Sequence, residues 1–381
     1  MSSNANSLPA WLQQQAQRQP RGIALRHKHL GVWQVRRWAT LDAEVRALAA
    51  ALAAHGFAAG AELLVLSRPR PEALLLALAA QWLGGAAALL DPLDAGEAQV
   101  GLLRELNPDF VFAEGLDELL RVQRAGLRPA LLLYAEGRGL SEWQGSATQA
   151  YAALLATPAA SQFEAQARGA EVAFVFYRQT AQGGLERHTL SHAELLDEGQ
   201  RLVRAEGLGA GEEALAARAF AAAGQARYLL APWLIAGFRL NFPESLETRD
   251  RDRRELGPSL LLGTRETYGR LYAQALQRMP LPGSLARRLL DWALADRPGL
   301  LRASLGHWLL RRPLRDVLGF SRTRVPLLVG APLAAEAQRF FAALGVAPRA
   351  WPLAESWQAA PPRRAETTWP RGQEPLMEPS R

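Results

Sequence analysis

The stretch Glu171-Val-Ala-Phe-Val-Phe-Tyr177, followed by Arg178-Gln-Thr-Ala-Gln-Gly-Gly-Leu-Glu-Arg-His188 and Thr189-Leu-Ser-His-Ala-Glu-Leu-Leu196, decides the fold. Its first part is an apolar run rich in valine and phenylalanine and reads as a buried strand. The glycine pair Gly183 and Gly184 marks a loop. In the last part Ser191, with Glu194 three residues on, forms a capping box that starts a helix. A strand running through a loop into a helix is the unit from which α/β sheets are built.

The same alternation extends toward the N-terminus. Leu41 to His55 has apolar positions at helical spacing and stops at Gly56. Glu62 to Ser67 reads as a buried strand, Pro71 to Trp82 as a helix closed by Gly84-Gly85, and Ala86 to Leu90 as another strand. Asn107-Pro108 marks a turn before the short strand Phe110 to Ala113, and Leu131 to Tyr134 is a further strand. Largely parallel sheets covered by helices account for this order. At 381 residues the chain exceeds what one core usually fills. An Ala/Thr/Pro/Ser-rich connector through Ser161 places the break, giving α/β subdomains over 8–150 and 169–357. Residues 358–381, rich in Pro, Arg and Glu without periodicity, are expected to be a disordered tail.

Composition removes several function classes. Hydrophobic residues make up 49% and charged residues 21%, the balance of a folded globular protein. No apolar run is long enough to span a bilayer, and the N-terminus lacks a signal-peptide core, so a cytoplasmic location is expected. With no cysteine, thiolate catalysis and cysteine-ligated metals are excluded. The net charge of +7 comes almost wholly from arginines scattered among acids, Lys28 being the only lysine, which disfavours a nucleic-acid partner. The Leu/Trp/Arg-rich segment Ser284 to Arg324 could lie peripherally on an anionic membrane, but an amphipathic helix pair packed inward is the preferred reading. His188 and His192, four apart, lack a third ligand, and Ser191-His192 lacks a nucleophile elbow.

Tyr177 to His192 aligns without a gap with YTSGTTGxPKGVxLSH, the phosphate loop of adenylate-forming enzymes. Leu25 to Trp33 with Trp38 and Leu41, Gln81-Trp-Leu-Gly-Gly85, Ala236 to Glu244, Arg254 to Pro258, Arg265 to Met279 and Val329 to Leu333 follow that family's succession of segments, as do Arg339-Phe-Phe and Leu344-Gly-Val346. Over residues 8 to 357 the chain resembles the N-terminal domain of long-chain acyl-CoA synthetases in the AMP-binding superfamily. The resemblance implies an α/β fold and ATP- and Mg2+-dependent adenylation of a fatty acid before transfer to CoA. It also implies a small C-terminal domain carrying a catalytic lysine. No such domain is expected after Glu355, and Lys28 stands in the wrong region to replace that lysine.

The loop departs from the pattern where its chemistry lies. Gln179 and Thr180 stand at the hydroxyl and glycine positions, Ala181 and Gln182 at the two threonines, and Gly183 remains beside Gly184. Glu186 occupies the lysine position. A unit charge pair at 4 Å is worth about 1 kcal/mol in water and about 4 kcal/mol at an effective dielectric of 20, so a carboxylate facing polyphosphate weakens binding. Rescue would need Arg178 or Arg187 aimed at the same oxygens. By resemblance, Trp351 stands at the aromatic that stacks near adenine and Glu355 at a magnesium ligand, although Pro352 and Ala354 replace a glycine and a threonine. A lone glutamate is a poor hard-cation site. Leu215 to Gln225, at the acyl-pocket segment, reads as close packing around small alanines.

These readings point to a ligase-like protein without catalytic residues, keeping a surface for a fatty acyl ligand or a protein partner. An active acyl-CoA synthetase completed by a separate C-terminal domain, using ATP and Mg2+, is the first alternative. A peripheral membrane interaction protein is the second.

Overall fold

The computed structural model describes residues 6–93, 96–143, 145, 147–156, 164–180, 182, 184–218, 220–280, 283–285, 287–288 and 311–360. Within them, β1 (Ile23–His29), β2 (Val32–Arg37), β10 (Glu213–Leu215), β11 (Arg239–Phe242), β12 (Leu260–Gly263), β13 (Val325–Val329) and β14 (Arg349–Trp351) form one sheet, in the order β14-β13-β12-β10-β11-β1-β2. The second sheet contains β3 (Glu62–Leu66), β4 (Ala86–Leu90), β5 (Phe110–Ala113), β6 (Leu131–Tyr134), β7 (Gln149–Ala150), β8 (Val172–Gln179), β9 (Leu185–Ser191) and β15 (Gln358–Ala359). Its order is β15-β9-β8-β4-β3-β5-β6-β7. Pairing is parallel except at β1–β2, β8–β9 and β9–β15.

The helices that matter here are α1 (Leu8–Arg18), α2 (Trp38–Ala54), α3 (Pro71–Trp82), α4 (Glu97–Leu106), α5 (Leu116–Arg124), α6 (Tyr151–Leu155) and α7 (His192–Glu206). Every residue of α3 except Glu72 is buried, as expected of a helix that is apolar all round. It packs, with α1, α2 and α7, between the sheets. Side-chain alternation shows this directly: Leu63 and Val65 join the core shared with α2 and α3, whereas Leu64 and Leu66 join a separate core with Leu103 of α4 and Leu119 of α5. Likewise Leu327 points to the shared core and Leu328 to an outer one with Phe340 and Phe341. The result is five layers, helix-sheet-helix-sheet-helix.

Local structure follows the sequence closely. Pro71 opens α3 at its first turn, and Gly84, at φ +75°, turns the chain into β4. α2 begins at Trp38, one turn earlier than its leucine spacing predicts, because the buried Trp38 ring stacks on Trp233 with centroids 5.0 Å apart. The Ser191 capping box forms as expected, Glu194 N donating to Ser191 Oγ and Ser191 N to Glu194 Oε2.

Three expectations meet the structure differently. The connector between 150 and 169 does not separate the sheets: β8 pairs with β4, so the strand expected to open the second unit lies in the sheet of the first, and the loop expected after it contains a second strand, β9, paired back on β8. Conversely, β1 and β2 pair into the sheet built by β10 to β14, through β1 and β11. Gln358–Ala359, expected in the tail, instead form β15 against β9; residues 361–381 lie outside the described residues, as do 286 and 289–310 of the basic segment. Among the described residues no helix is long and apolar enough to cross a membrane.

Candidate functional site

β8 and β9 are the arms of one hairpin, paired from Val172 opposite Ser191 to Gln179 opposite Leu185. This register sets Arg178 opposite Glu186. Arg178 Nε and Nη2 both lie 2.8 Å from Glu186 Oε2. The indole of Trp357 covers the same guanidinium at 4.2 Å. Arg178, one of two cations able to compensate for the missing lysine, is thus held by the residue that replaced it.

The loop between the arms is tied to itself. Thr180 N donates to Gly184 O at 2.8 Å, and Gly184 N donates to Thr180 Oγ1 at 3.0 Å. The Thr180 hydroxyl accepts a bond from its own loop, and the Gly184 amide is spent on it. Gly183 lies outside the described residues.

The segment after β14 runs across this hairpin. Ser356 N donates to Nδ1 of the buried His188 at 3.2 Å, and the His188 ring stacks on Phe176 with centroids 5.9 Å apart. Trp357 lies 5.8 Å from His188 and donates its Nε1–H to Glu355 at 3.1 Å. Glu355 is exposed, and among the described residues no group of three His, Asp or Glu could hold a metal ion. Trp351 is fastened elsewhere, donating from Nε1 to Glu206 of α7 at 3.3 Å and lying 5.7 Å from the Tyr228 ring. Tyr228 belongs to a π-helical turn, Ala226–Leu230, and its hydroxyl donates to Pro352 O at 2.5 Å. The structure therefore brings Glu186 and Glu355 to Arg178 and Trp357, ties Thr180 and Gly184 to each other at the end of the hairpin, and packs Trp351 against Tyr228 and Glu206. Within Leu215 to Gln225, Ala216, Phe220 and Ala223 are buried, whereas Ala217 and Ala221 are half-buried and Ala222 is exposed, so the close packing expected around the alanines holds for part of the segment.

His188 and His192 serve different contacts. His192 is fully buried, its Nδ1 accepts the Leu8 amide at 3.2 Å, and burial pushes its pKa down to about 4. It joins α1 to α7 and does not face the loop chemistry.

Sequence reasoning missed Trp357 and a cleft of about 600 Å³ at the carboxyl end of the same sheet. The chain leaves β3 through α3 to reach β4 on one side, and leaves β5 through α5 to reach β6 on the other. Between β3 and β5 the winding reverses, and open α/β sheets bind ligands at such a reversal. Arg68, Arg70, Glu114, Glu136 and Arg121 line the cleft, with the exposed Leu30 and Leu93 at its rim. Arg68 Nη2 reaches Glu114 at 2.6 Å, and Arg70 reaches Glu72 at 2.7 Å and Glu136 at 3.1 Å. Burial works to raise the Glu114 pKa, but hydrogen bonding and charge from Arg68 and Arg70 hold it below the usual carboxylate value. No local sequence signal marks this cleft, because its residues come from the ends of strands far apart in the chain.

Solved structures share this architecture. The adenylation and carrier-protein didomain of a carboxylic acid reductase from Segniliparus rugosus, in complex with AMP, superposes with a TM-score of 0.69 at 14% identity, over 92% of this chain and 52% of that one. MatB from Rhodopseudomonas palustris gives 0.63 at 20% identity, covering 91% and 58%. O-succinylbenzoate coenzyme A synthetase from Bacillus subtilis gives 0.59 at 17% identity, covering 88% and 57%. The chain thus spans between half and three-fifths of these three proteins. No curated protein sequence matches it significantly. The profile of the family described as AMP-binding enzyme matches residues 12–357, most of the chain, and the chain belongs to that family.

Proposed function

We propose that this protein is a non-catalytic member of the acyl-CoA synthetase type, which keeps the ligase fold and a binding role but does not adenylate. The observation that carries this reading is the lock on Arg178, paired to Glu186 and covered by Trp357. A polyphosphate would have to displace both partners of that cation and then face the Glu186 carboxylate. Less is left to repay this, since the Gly184 amide is already spent on Thr180 Oγ1. Binding is supported by the cleft between β3 and β5, whose apolar rim and charged floor suit an amphiphilic acyl ligand or a partner's side chains.

Calorimetry with Mg-ATP, with and without a long-chain fatty acid, tests the reading. Absence of heat from folded protein is expected. Saturable binding below about millimolar ATP, on the scale of ordinary substrate affinities, would instead support an active ligase completed by a separate domain.

A further inference from the structure

Residues 352–360 cross the hairpin with little to hold them. Pro352 to Ser356, Gln358 and Ala359 are all exposed, and Trp357 and Ala360 are half-buried. The backbone is retained by the two-residue ladder of β15, by Ala360 N donating to Leu185 O at 2.9 Å, and by Ser356 N on His188. Tyr228 fixes the start of the segment through Pro352 O. A segment with exposed backbone bonds and one apolar anchor opens at a lower free energy than the core beneath it. When it opens, Arg178 loses its indole cover and β9 becomes the edge of the sheet.

We propose that residues 352–360 are a self-inhibitory strap that opens as a unit of its own, latched by Trp357, whose indole keeps one face of the half-exposed Arg178 guanidinium from anions. This rests on the closed loop argued under Proposed function and names what keeps it closed. Trp357 sits where the strap's contacts converge: its face takes Arg178, its edge lies beside His188, and its N–H holds Glu355. Removing it leaves the strap held by its backbone bonds alone, without touching the β8–β9 ladder.

Two measurements on the full chain test the strap. Hydrogen exchange of wild type should show the Ser356 and Ala360 amides exchanging well ahead of Phe174 and Phe176 in β8, and Trp357→Ala should accelerate the strap amides alone. Exchange of strap and β8 at one common rate would overturn the proposal. Sodium tripolyphosphate, used as a probe in calorimetry, should bind the Trp357→Ala/Glu186→Gln variant more tightly than wild type. The gain should be on the order of tenfold, the combined scale of an exposed ion pair and a cation–π contact. Adding Arg178→Gln should remove the gain. A folded double variant that binds the probe no better than wild type would equally overturn it, and Trp357→Leu substitutes should the alanine variant unfold. Mg-ATP binding by wild type would defeat the non-catalytic reading instead, which the exchange data would leave untouched.

Discussion

Arg178 and Glu186 face each other across neighbouring strands, two nitrogens of one sharing a single carboxylate oxygen of the other at 2.8 Å. Glu186→Lys places a cation at the family's lysine position but sets it directly against Arg178, and like charges opposite one another destabilise a ladder. Because Arg178 is 51% exposed and Glu186 28%, the pair's loss should cost under about 1 kcal/mol. Adenylation is not expected to return, since Gln179 and Gln182 still stand where hydroxyls would donate. The check is a urea midpoint close to wild type together with no pyrophosphate released from ATP and fatty acid. Release above the blank would show that one misplaced charge alone disables the loop.

Glu72 bridges the two sheets. It takes Arg70 at 2.7 Å from its own chain segment and Arg36 of β2, in the other sheet, at 3.4 Å. Burial works to raise its pKa, but the charge and hydrogen bond of Arg70, with Arg36 adding to them, hold the carboxyl down at about 2. A depressed folded pKa means stability fully present above the ordinary carboxylate value and lost as pH falls toward 2. Glu72→Ala takes the nearest carboxylate from Arg70, whose side chain is 10% exposed, and leaves it Glu136 at 3.1 Å and Glu114 at 3.5 Å; the cost should be about 1 to 3 kcal/mol, below the about 3 to 5 kcal/mol of a buried charge left wholly unpaired. Denaturant titration near pH 7 measures it; a loss under about 1 kcal/mol would mean Arg70 finds Glu114 and Glu136 sufficient.

How far the fold was legible depended on whether its signal was local. Pro71 to Trp82 could be bounded at both ends because Pro71, Gly84 and a continuous apolar run act on neighbouring residues. Which sheet a strand joins is not a local property. Periodicity reports which faces are buried, not which strand lies alongside, so β1 and β8 were each expected among their sequence neighbours. In the site, the Glu186 substitution was visible, but the role of Arg178 was not. It was a candidate rescuer until the hairpin register set it opposite Glu186. Trp357 gave no signal at all, because it lies in an irregular stretch and the two-residue β15 that follows it is too short for alternation to show.

Gly85 is required by closeness and not by backbone angle. A Cβ there would lie 2.5 Å from Phe57 Cε1 and 2.7 Å from Ala61 O. Phe57 is buried and meets Phe110 edge-on at 4.9 Å, so its ring cannot simply swing away. Gly85→Ala should destabilise by about 1 to 3 kcal/mol, the cost of overpacking a filled core. Pairing it with Phe57→Leu should recover part of that loss in a double-mutant cycle. An additive double variant would place the strain at the Ala61 carbonyl instead.

His192 makes the acid limb of stability predictable in sign. Its imidazole is fully buried, accepts the Leu8 amide through Nδ1, and has its pKa pushed by burial down to about 4 from the ordinary 6.5. The folded state therefore holds the ring neutral where the unfolded chain already takes up a proton. The His192 contribution is complete above pH 6.5, declines as pH falls toward 4, and is lost below it. Integrated over that window the loss is about 3 kcal/mol. Glu72 loses its contribution mainly below this window, so the two can be separated by pH. His192→Asn, which keeps an acceptor near Leu8 N but cannot titrate, should lower stability at about pH 7.5 and flatten its decline between about pH 6.5 and 4.5. The reading is the urea midpoint of both proteins at each pH. Parallel curves would assign the acid limb to the carboxylates and leave His192 as a packing residue between α1 and α7.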